Sequence, residues 1–299
     1  NLPYLQDITT MFELLGSMGA EIVLNENMDF TIKSNDLKEK EARYELVKTM
    51  RASILVLGPL VAKYGKAKIA LPGGCAIGSR PVNYHLDALE QLGASITLRN
   101  GYIEASADRL IGTKIRFDGI TVTGTENIMM AACLAEGTSV LTNVAKEPEI
   151  IDLADLLNKM GAKVNGAGTD EITIEGVKEL HGCEFTIPSD RIEAGTYLVA
   201  AVVTGGEITI NEINPQRLNK VLDKLKETGA KITLTKNSIS LSMEKKKPKP
   251  VDITTAPFPE FPTDMQAQFS VINAISDGVS NIYETVFENR FMHVQELNR

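Results

Sequence analysis

A chain of 299 residues, 43% apolar and 23% charged, can bury one large core or two ordinary ones, which excludes a disordered protein. Its 31 basic against 39 acidic side chains give a net charge of −8, and a chain without a basic field does not neutralise a phosphate backbone, so no nucleic acid partner is expected. No stretch approaches the ~18 apolar residues of a membrane span, Asn1-Leu2-Pro3-Tyr4 does not read as an export leader, and three cysteines without paired spacing make no disulfide framework, so no membrane is engaged and the expected setting is the cytoplasm.

Self-similarity orders the chain before any single element does. A helix-ending Gly-Ala pair opens an apolar stretch at Gly19, Gly93, Gly161 and Gly229, at intervals of 74, 68 and 68 residues. A second glycine, closing an apolar helix and opening a strand, falls at Gly65, Gly137, Gly205 and Gly278, at intervals of 72, 68 and 73. Two markers in phase define a repeated unit of about 70 residues, too long for a solenoid module, and packed copies forming α/β domains are expected.

The opening residues enter at what reads as the second helix of a unit whose first helix is absent, so the sequence is expected to be an internal piece of a longer protein. After Gly65, residues 68–71 read as a strand and a helix is expected to open at Pro81. Between them runs Leu71-Pro72-Gly73-Gly74-Cys75-Ala76-Ile77-Gly78-Ser79-Arg80-Pro81, the least core-like segment so far. Its cysteine is either a small apolar residue in a turn or, with Arg80 and Arg51 as cationic neighbours, a reactive thiolate. Residues 126–136 are rich in Met, Ala and Leu and predict a buried helix closed by Gly137, with Cys133 inside it. A strand is expected over 139–144, then an amphipathic helix from Pro148 carrying Ile150, Leu153, Leu156, Leu157 and Met160 at three-to-four spacing. Two short strands, 163–165 and 171–175, complete a βαβαββ unit.

Farther on, Lys245-Lys246-Lys247-Pro248-Lys249-Pro250 reads as a solvated connector. In Thr255-Ala256-Pro257-Phe258-Pro259-Glu260-Phe261-Pro262-Thr263-Asp264 the prolines fix an extended path, after which a helix opens. Asp264 there is either a helix cap or a general base beside a bound substrate. The segment from Glu284 to His293 crowds polar side chains among aromatics just after a strand, the same place in its repeat as the Cys75 loop and Lys146-Glu147-Pro148 in theirs. Strand-to-helix loops carrying Arg51, Arg80, Lys146 and Arg290 would attract a phosphorylated ligand. His85, His181 and His293 lack ligand spacing, so no metal site is expected, and no nucleotide phosphate loop or dinucleotide fingerprint occurs.

The Cys75 loop, Thr123-Gly124-Thr125-Glu126-Asn127, Ala256 to Phe269 and Glu284 to His293 together resemble the UDP-N-acetylglucosamine 1-carboxyvinyltransferases, over the whole chain. That resemblance implies βαβαββ units forming two inside-out α/β domains, here residues 1–188, lacking the start of the first unit, and 189–299, incomplete at its end, with the site in the cleft between them. It implies transfer of the enolpyruvyl group of phosphoenolpyruvate to the 3-hydroxyl of UDP-N-acetylglucosamine with release of phosphate, the first committed step of peptidoglycan synthesis. No metal, no organic cofactor and no obligate protein partner is implied.

By the same resemblance Cys75 matches a proton donor that is also the residue alkylated by fosfomycin, and Asp264 matches the general base near the sugar hydroxyl. Arg80 matches an arginine that holds phosphate, and Arg51, Arg80, Pro81, Val82, Asn83, Tyr84, Thr121, Val122 and Val286 match the UDP-sugar pocket, with Arg290 in a supporting role. Two departures stand out. Gly119 replaces a lysine that many relatives carry before the Thr-Val pair, and the family's Lys-Asn pair and the Asp and Arg residues of its last unit fall outside these 299 residues, so this piece alone is expected to be inactive. The alternatives are the sister transferase acting on shikimate 3-phosphate, which shares the fold, and a non-catalytic UDP-sugar-binding paralogue.

Overall fold

Four helices end on the repeated Gly-Ala pair, and each of these glycines is left-handed, with φ of +104° at Gly19, +96° at Gly93, +97° at Gly161 and +98° at Gly229. At the first three the turn is a Schellman closure: the alanine N–H reaches back to a helical carbonyl, Ala20 to Leu15, Ala94 to Leu89 and Ala162 to Leu157, each at 3.0 Å. A Cβ disfavours this conformation, which is why glycine marks the joint. The second set of marker glycines, Gly65, Gly137, Gly205 and Gly278, also has positive φ.

The computed structural model describes residues 2–3, 5–25, 29–35, 37–72 and 82–299. They separate into two compact units, one ending at Ile187 and the other spanning Pro188–Arg299. The first unit opens with helix α1 (Gln6–Ser17) and the antiparallel hairpin β1 (Glu21–Leu24) and β2 (Phe30–Lys33). There follow β3 (Glu41–Ala42), α2 (Tyr44–Val47), a 3-10 helix over Arg51–Val56, α3 (Leu57–Tyr64), β4 (Lys66–Ala70), α4 (Asn83–Gln91), β5 (Ser95–Arg99) and β6 (Tyr102–Ser106). A second copy comprises β7 (Lys114–Arg116), α5 (Val122–Ala132), β8 (Thr138–Thr142), α6 (Pro148–Lys159), β9 (Lys163–Asn165) and β10 (Glu171–Glu175).

The two sheets share one topology. Their orders are β3-β4-β6-β5 and β7-β8-β10-β9, with the first pair parallel and the other two antiparallel. Alternation drives the packing: in β10 Ile172 and Ile174 are buried while Glu171 and Glu175 face water, and in α6 Ile150, Ala154 and Leu157 form the inward stripe. Each large aliphatic side chain so buried contributes roughly 1.5–3 kcal/mol.

The second unit begins with α7 (Arg191–Val203), β11 (Glu207–Asn211), a 3-10 turn at Pro215–Leu218, α8 (Asn219–Glu227), β12 (Lys231–Leu234) and β13 (Ser238–Ser242), in sheet order β11-β13-β12. It continues with β14 (Ile253–Thr254), a 3-10 turn at Thr263–Met265, α9 (Gln266–Ile275), β15 (Ile282–Tyr283) parallel to β14, and α10 (Met292–Leu297). Its own core includes Leu198, Leu222, Ile239, Phe261 and Phe269. In the basic connector Lys245, Lys246, Lys247 and Lys249 are exposed, and Lys246 and Lys247 pair with Glu244 and Asp277.

Several boundaries shift from expectation. The helix expected over 126–136 runs Val122–Ala132, because the Thr121 hydroxyl caps it by accepting from the Gly124 N–H at 3.2 Å. It ends four residues early because the Glu136 N–H turns to the Leu110 carbonyl, so Gly137 opens the strand without closing the helix and Cys133 is the cap residue. The strands expected over 68–71 and 139–144 are Lys66–Ala70 and Thr138–Thr142. No helix among the described residues is long and apolar enough to cross a membrane.

Candidate active site

In the first unit the expected pocket residues stand at the starts of three helical elements. Arg51 begins the 3-10 helix, Val82 precedes α4, Asn83 and Tyr84 form its first turn, and Thr121 and Val122 are the cap and first residue of α5. A buried amide bolts these elements together. Asn127 Oδ1 accepts from the Gly58 N–H at 2.7 Å, while Nδ2 donates to the Ile54 carbonyl at 3.1 Å and faces His85 Nδ1 at 3.0 Å. Because Asn127 donates there, His85 Nδ1 accepts and the ring proton sits on Nε2, 3.4 Å from the Thr123 hydroxyl. Burial, with Arg51 adding repulsion, lowers the His85 pKa to about 4, so the ring is neutral near pH 7.

Glu126, on the same helix, is pushed up to about 7 by burial and by Glu149 and Glu147. Lys146 pairs with Asp170 at 2.6 Å. At Gly119, where the resemblance implies that many relatives carry a lysine, an added Cβ would lie 2.7 Å from the Tyr84 hydroxyl. A side chain at 119 and Tyr84 in its present place therefore exclude one another.

In the second unit a carboxylate organises the segment after β15. Glu284 Oε1 accepts from the Thr255 hydroxyl at 2.8 Å and from the backbone N–H groups of Val286 at 2.8 Å and Phe287 at 3.1 Å. Oε2 accepts from the Thr263 hydroxyl at 2.9 Å. Hydrogen bonds to a charged group contribute ~1.5–3 kcal/mol each, so this turn is firmly held. Thr263 in turn receives Arg290 Nη1 at 3.2 Å, and Arg290 Nη2 donates to Asp264 Oδ1 at 2.7 Å. The Asp264 side chain is 54% exposed and that of Arg290 20%. Arg290 also stands over the Phe287 ring, 5.5 Å from its centre.

Asp264 does not cap a helix: neither the turn Thr263–Met265 nor α9 has a side-chain cap, and its carboxylate points to Arg290 instead. Arg290 and Val286 are brought to the same cluster through Glu284 and Thr263. Cys75, Arg80 and Pro81 lie outside the described residues. Of the other two thiols, Cys133 is buried and pushed up to about 12 by desolvation, while Cys183 is exposed. No metal-holding group of His, Cys, Asp and Glu occurs among the described residues.

Sequence reasoning singled out Asp264, Arg290 and Val286 but gave no role to Glu284, His85 or Asn127. Their partners are 21 to 29 residues away for Glu284 to the two threonines and 42 to 73 for the His85–Asn127 pair, the Ile54 carbonyl included. Neither helical nor strand periodicity carries such pairings.

The sequence profile of the EPSP synthase (3-phosphoshikimate 1-carboxyvinyltransferase) family matches residues 1–299. A UDP-N-acetylglucosamine 1-carboxyvinyltransferase from Ruthia magnifica subsp. Calyptogena magnifica is 60% identical over all of this chain and 71% of its own length. The chain belongs to the UDP-N-acetylglucosamine 1-carboxyvinyltransferase family, within the EPSP synthase superfamily. Further members of that family, from Vesicomyosocius okutanii subsp. Calyptogena okutanii and Hydrogenovibrio crunogenus, are 58% and 54% identical over the whole chain, covering 71% and 72% of those proteins.

The superfamily fold extends beyond close relatives. An enolpyruvyl transferase from Streptomyces tendae superposes with a TM-score of 0.85 at 22% identity, over 99% of this chain and 71% of that one. An EPSP synthase from Acinetobacter baumannii gives 0.64 at 18% identity, over 92% and 64%. The architecture of repeated strand-helix units in two α/β lobes is thus that of the superfamily.

Proposed function

We propose that this chain, as part of the full-length protein, transfers the enolpyruvyl group of phosphoenolpyruvate to the 3-hydroxyl of UDP-N-acetylglucosamine, with Asp264 as general base. The observation that carries this is the Asp264 carboxylate, half-exposed, held by one oxygen on Arg290, in a chain 60% identical to a UDP-N-acetylglucosamine 1-carboxyvinyltransferase. In the addition step the sugar 3-oxygen bonds to C2 of phosphoenolpyruvate, its proton passes to Asp264, and the methylene carbon takes a proton, for which Cys75 is the matched donor. In the elimination step a proton returns from the new methyl group to the group that supplied the first one, the double bond re-forms, and the C–O bond to phosphate breaks, the phosphate leaving with the proton that Asp264 took. Atoms and charge balance without a redox partner.

Arg51, Arg80, Pro81, Val82, Asn83, Tyr84, Thr121, Val122 and Val286 are read as the UDP-sugar pocket. The starts of α4 and α5, which carry the described first-unit residues other than Arg51, suit a diphosphate because helix N-termini offer N–H donors. Residues 1–188 and 189–299 are read as its two domains, a division supported by separate cores on either side. Cytoplasmic residence is supported by soluble phosphorylated substrates and by thiols at Cys133 and Cys183 that are free.

The test is phosphate release from phosphoenolpyruvate by the full-length protein with each acceptor offered in turn. Release with UDP-N-acetylglucosamine and none with shikimate 3-phosphate is expected. The reverse preference assigns the sister reaction, and specific UDP-sugar binding without release of phosphate assigns a binding paralogue.

A further inference from the structure

We propose that Glu284 is a positioning residue which, acting through the Thr263 hydroxyl, aims Arg290 and so sets the place of Asp264; this rests on the reading of Asp264 as the base. Glu284 is not a base itself. Its two oxygens receive four donors, two hydroxyls and two backbone N–H groups, so the carboxylate is committed to holding these groups in place.

The direction of the chain of bonds follows from counting protons. Thr263 has a single hydroxyl proton, and Glu284 Oε2, an acceptor only, takes it at 2.9 Å. The Thr263 oxygen therefore turns its lone pairs to Arg290, whose Nη1 donates to it at 3.2 Å while Nη2 donates to Asp264 at 2.7 Å. The guanidinium is planar and rigid, so fixing one edge fixes the other. Glu284 Oε1 separately holds the Val286 and Phe287 N–H groups, which places the ring beneath Arg290. An amide at 284 would set an N–H against a donor on one of these two sides.

Glu284→Gln, Thr263→Val and the double variant are assayed for kcat and for UDP-N-acetylglucosamine KM in the full-length protein, with Asp264→Asn alongside. Misplacing a catalytic group by about 1 Å costs ~10²-fold, so each single variant is expected to lower kcat by about that factor. Thr263→Val is expected to leave KM within about threefold, and Glu284→Gln to raise it as well, because only Glu284 holds the Val286 turn. If the two residues act as one relay, the double variant falls no more than about threefold below the worse single one. Thr263→Ser, which keeps the hydroxyl, is expected to recover most of what Thr263→Val loses.

Multiplicative losses in the double variant, or a serine no better than valine, would overturn the relay. So would undiminished kcat in Glu284→Gln beside a disabled Asp264→Asn, which leaves the base reading standing. Undiminished kcat in Asp264→Asn removes the base reading and the positioning role with it. Should Glu284→Gln fail to fold, the valine and serine pair at 263 still decides: a lower kcat at unchanged KM, recovered by serine, supports the relay, and equal kcat in both overturns it.

Discussion

At the scale of single residues, the position of Asp264 separates two roles that its sequence left open. A base acts on the proton lost during attack and adds little to ground-state affinity. Asp264→Asn is therefore expected to lower kcat by ~10²-fold or more while UDP-sugar affinity, read by titration calorimetry, changes little. Undiminished turnover would leave only the ion pair with Arg290 as its role. The candidates at 264, 286 and 290 were legible because each sits in a long, unusual segment. Glu284 and Asn127 were not, because their meaning lies in partners supplied by distant strands and helices. Asp after a proline-rich stretch looks like a cap from sequence, and only the direction of its side chain tells otherwise.

Elements bring backbone geometry and burial into play. Gly16 lies within α1 with open space around its α-carbon, whereas Gly229 has equally open space but φ of +98°. Gly16→Ala is expected to stabilise by ~0.5–1 kcal/mol and Gly229→Ala to destabilise by ~1–2 kcal/mol, both measurable as shifts in the urea midpoint. Equal effects at the two sites would contradict the role of the left-handed turn.

On α4 and α5, buried His85 and half-buried Glu126 titrate with opposite consequences. His85 has a folded pKa of about 4 against 6.5, so the unfolded chain binds more protons between those values and stability falls as pH drops from 6.5 to 4. Glu126 has a folded pKa of about 7 against 4.5, so its protonated form favours the folded chain and stability falls as pH rises from 4.5 to 7. Each amounts to up to ~3 kcal/mol, and they nearly offset. Glu126→Gln is expected to unmask the His85 slope, making the melting temperature climb from pH 4.5 to 6.5 more steeply than in the parent. The element order was legible from the phased glycines and apolar spacing. The ends of α5 were not, because a threonine hydroxyl and the Leu110 carbonyl set them.

For the whole molecule, the two buried clusters share no residue: one runs from Leu14 to Ile174, the other from Ala194 to Ile272. Separate cores unfold as separate cooperative blocks. Calorimetry is expected to resolve two transitions, and substitutions such as Leu222→Ala to move only one; a single transition coincident by every probe would show one block. The same helix-to-strand joint, with φ between +96° and +104° at all four sites, has a genetic meaning. Where backbone geometry is identical, unequal crossing-over between copies can join the helix of one to the strand of another without a strained splice. Such recombinants keep the left-handed turn at the seam, while the segments between seams, the one that carries Asp264 among them, are dealt into new combinations. The joint is the part of this chain where copies can be exchanged with the same turn kept on either side.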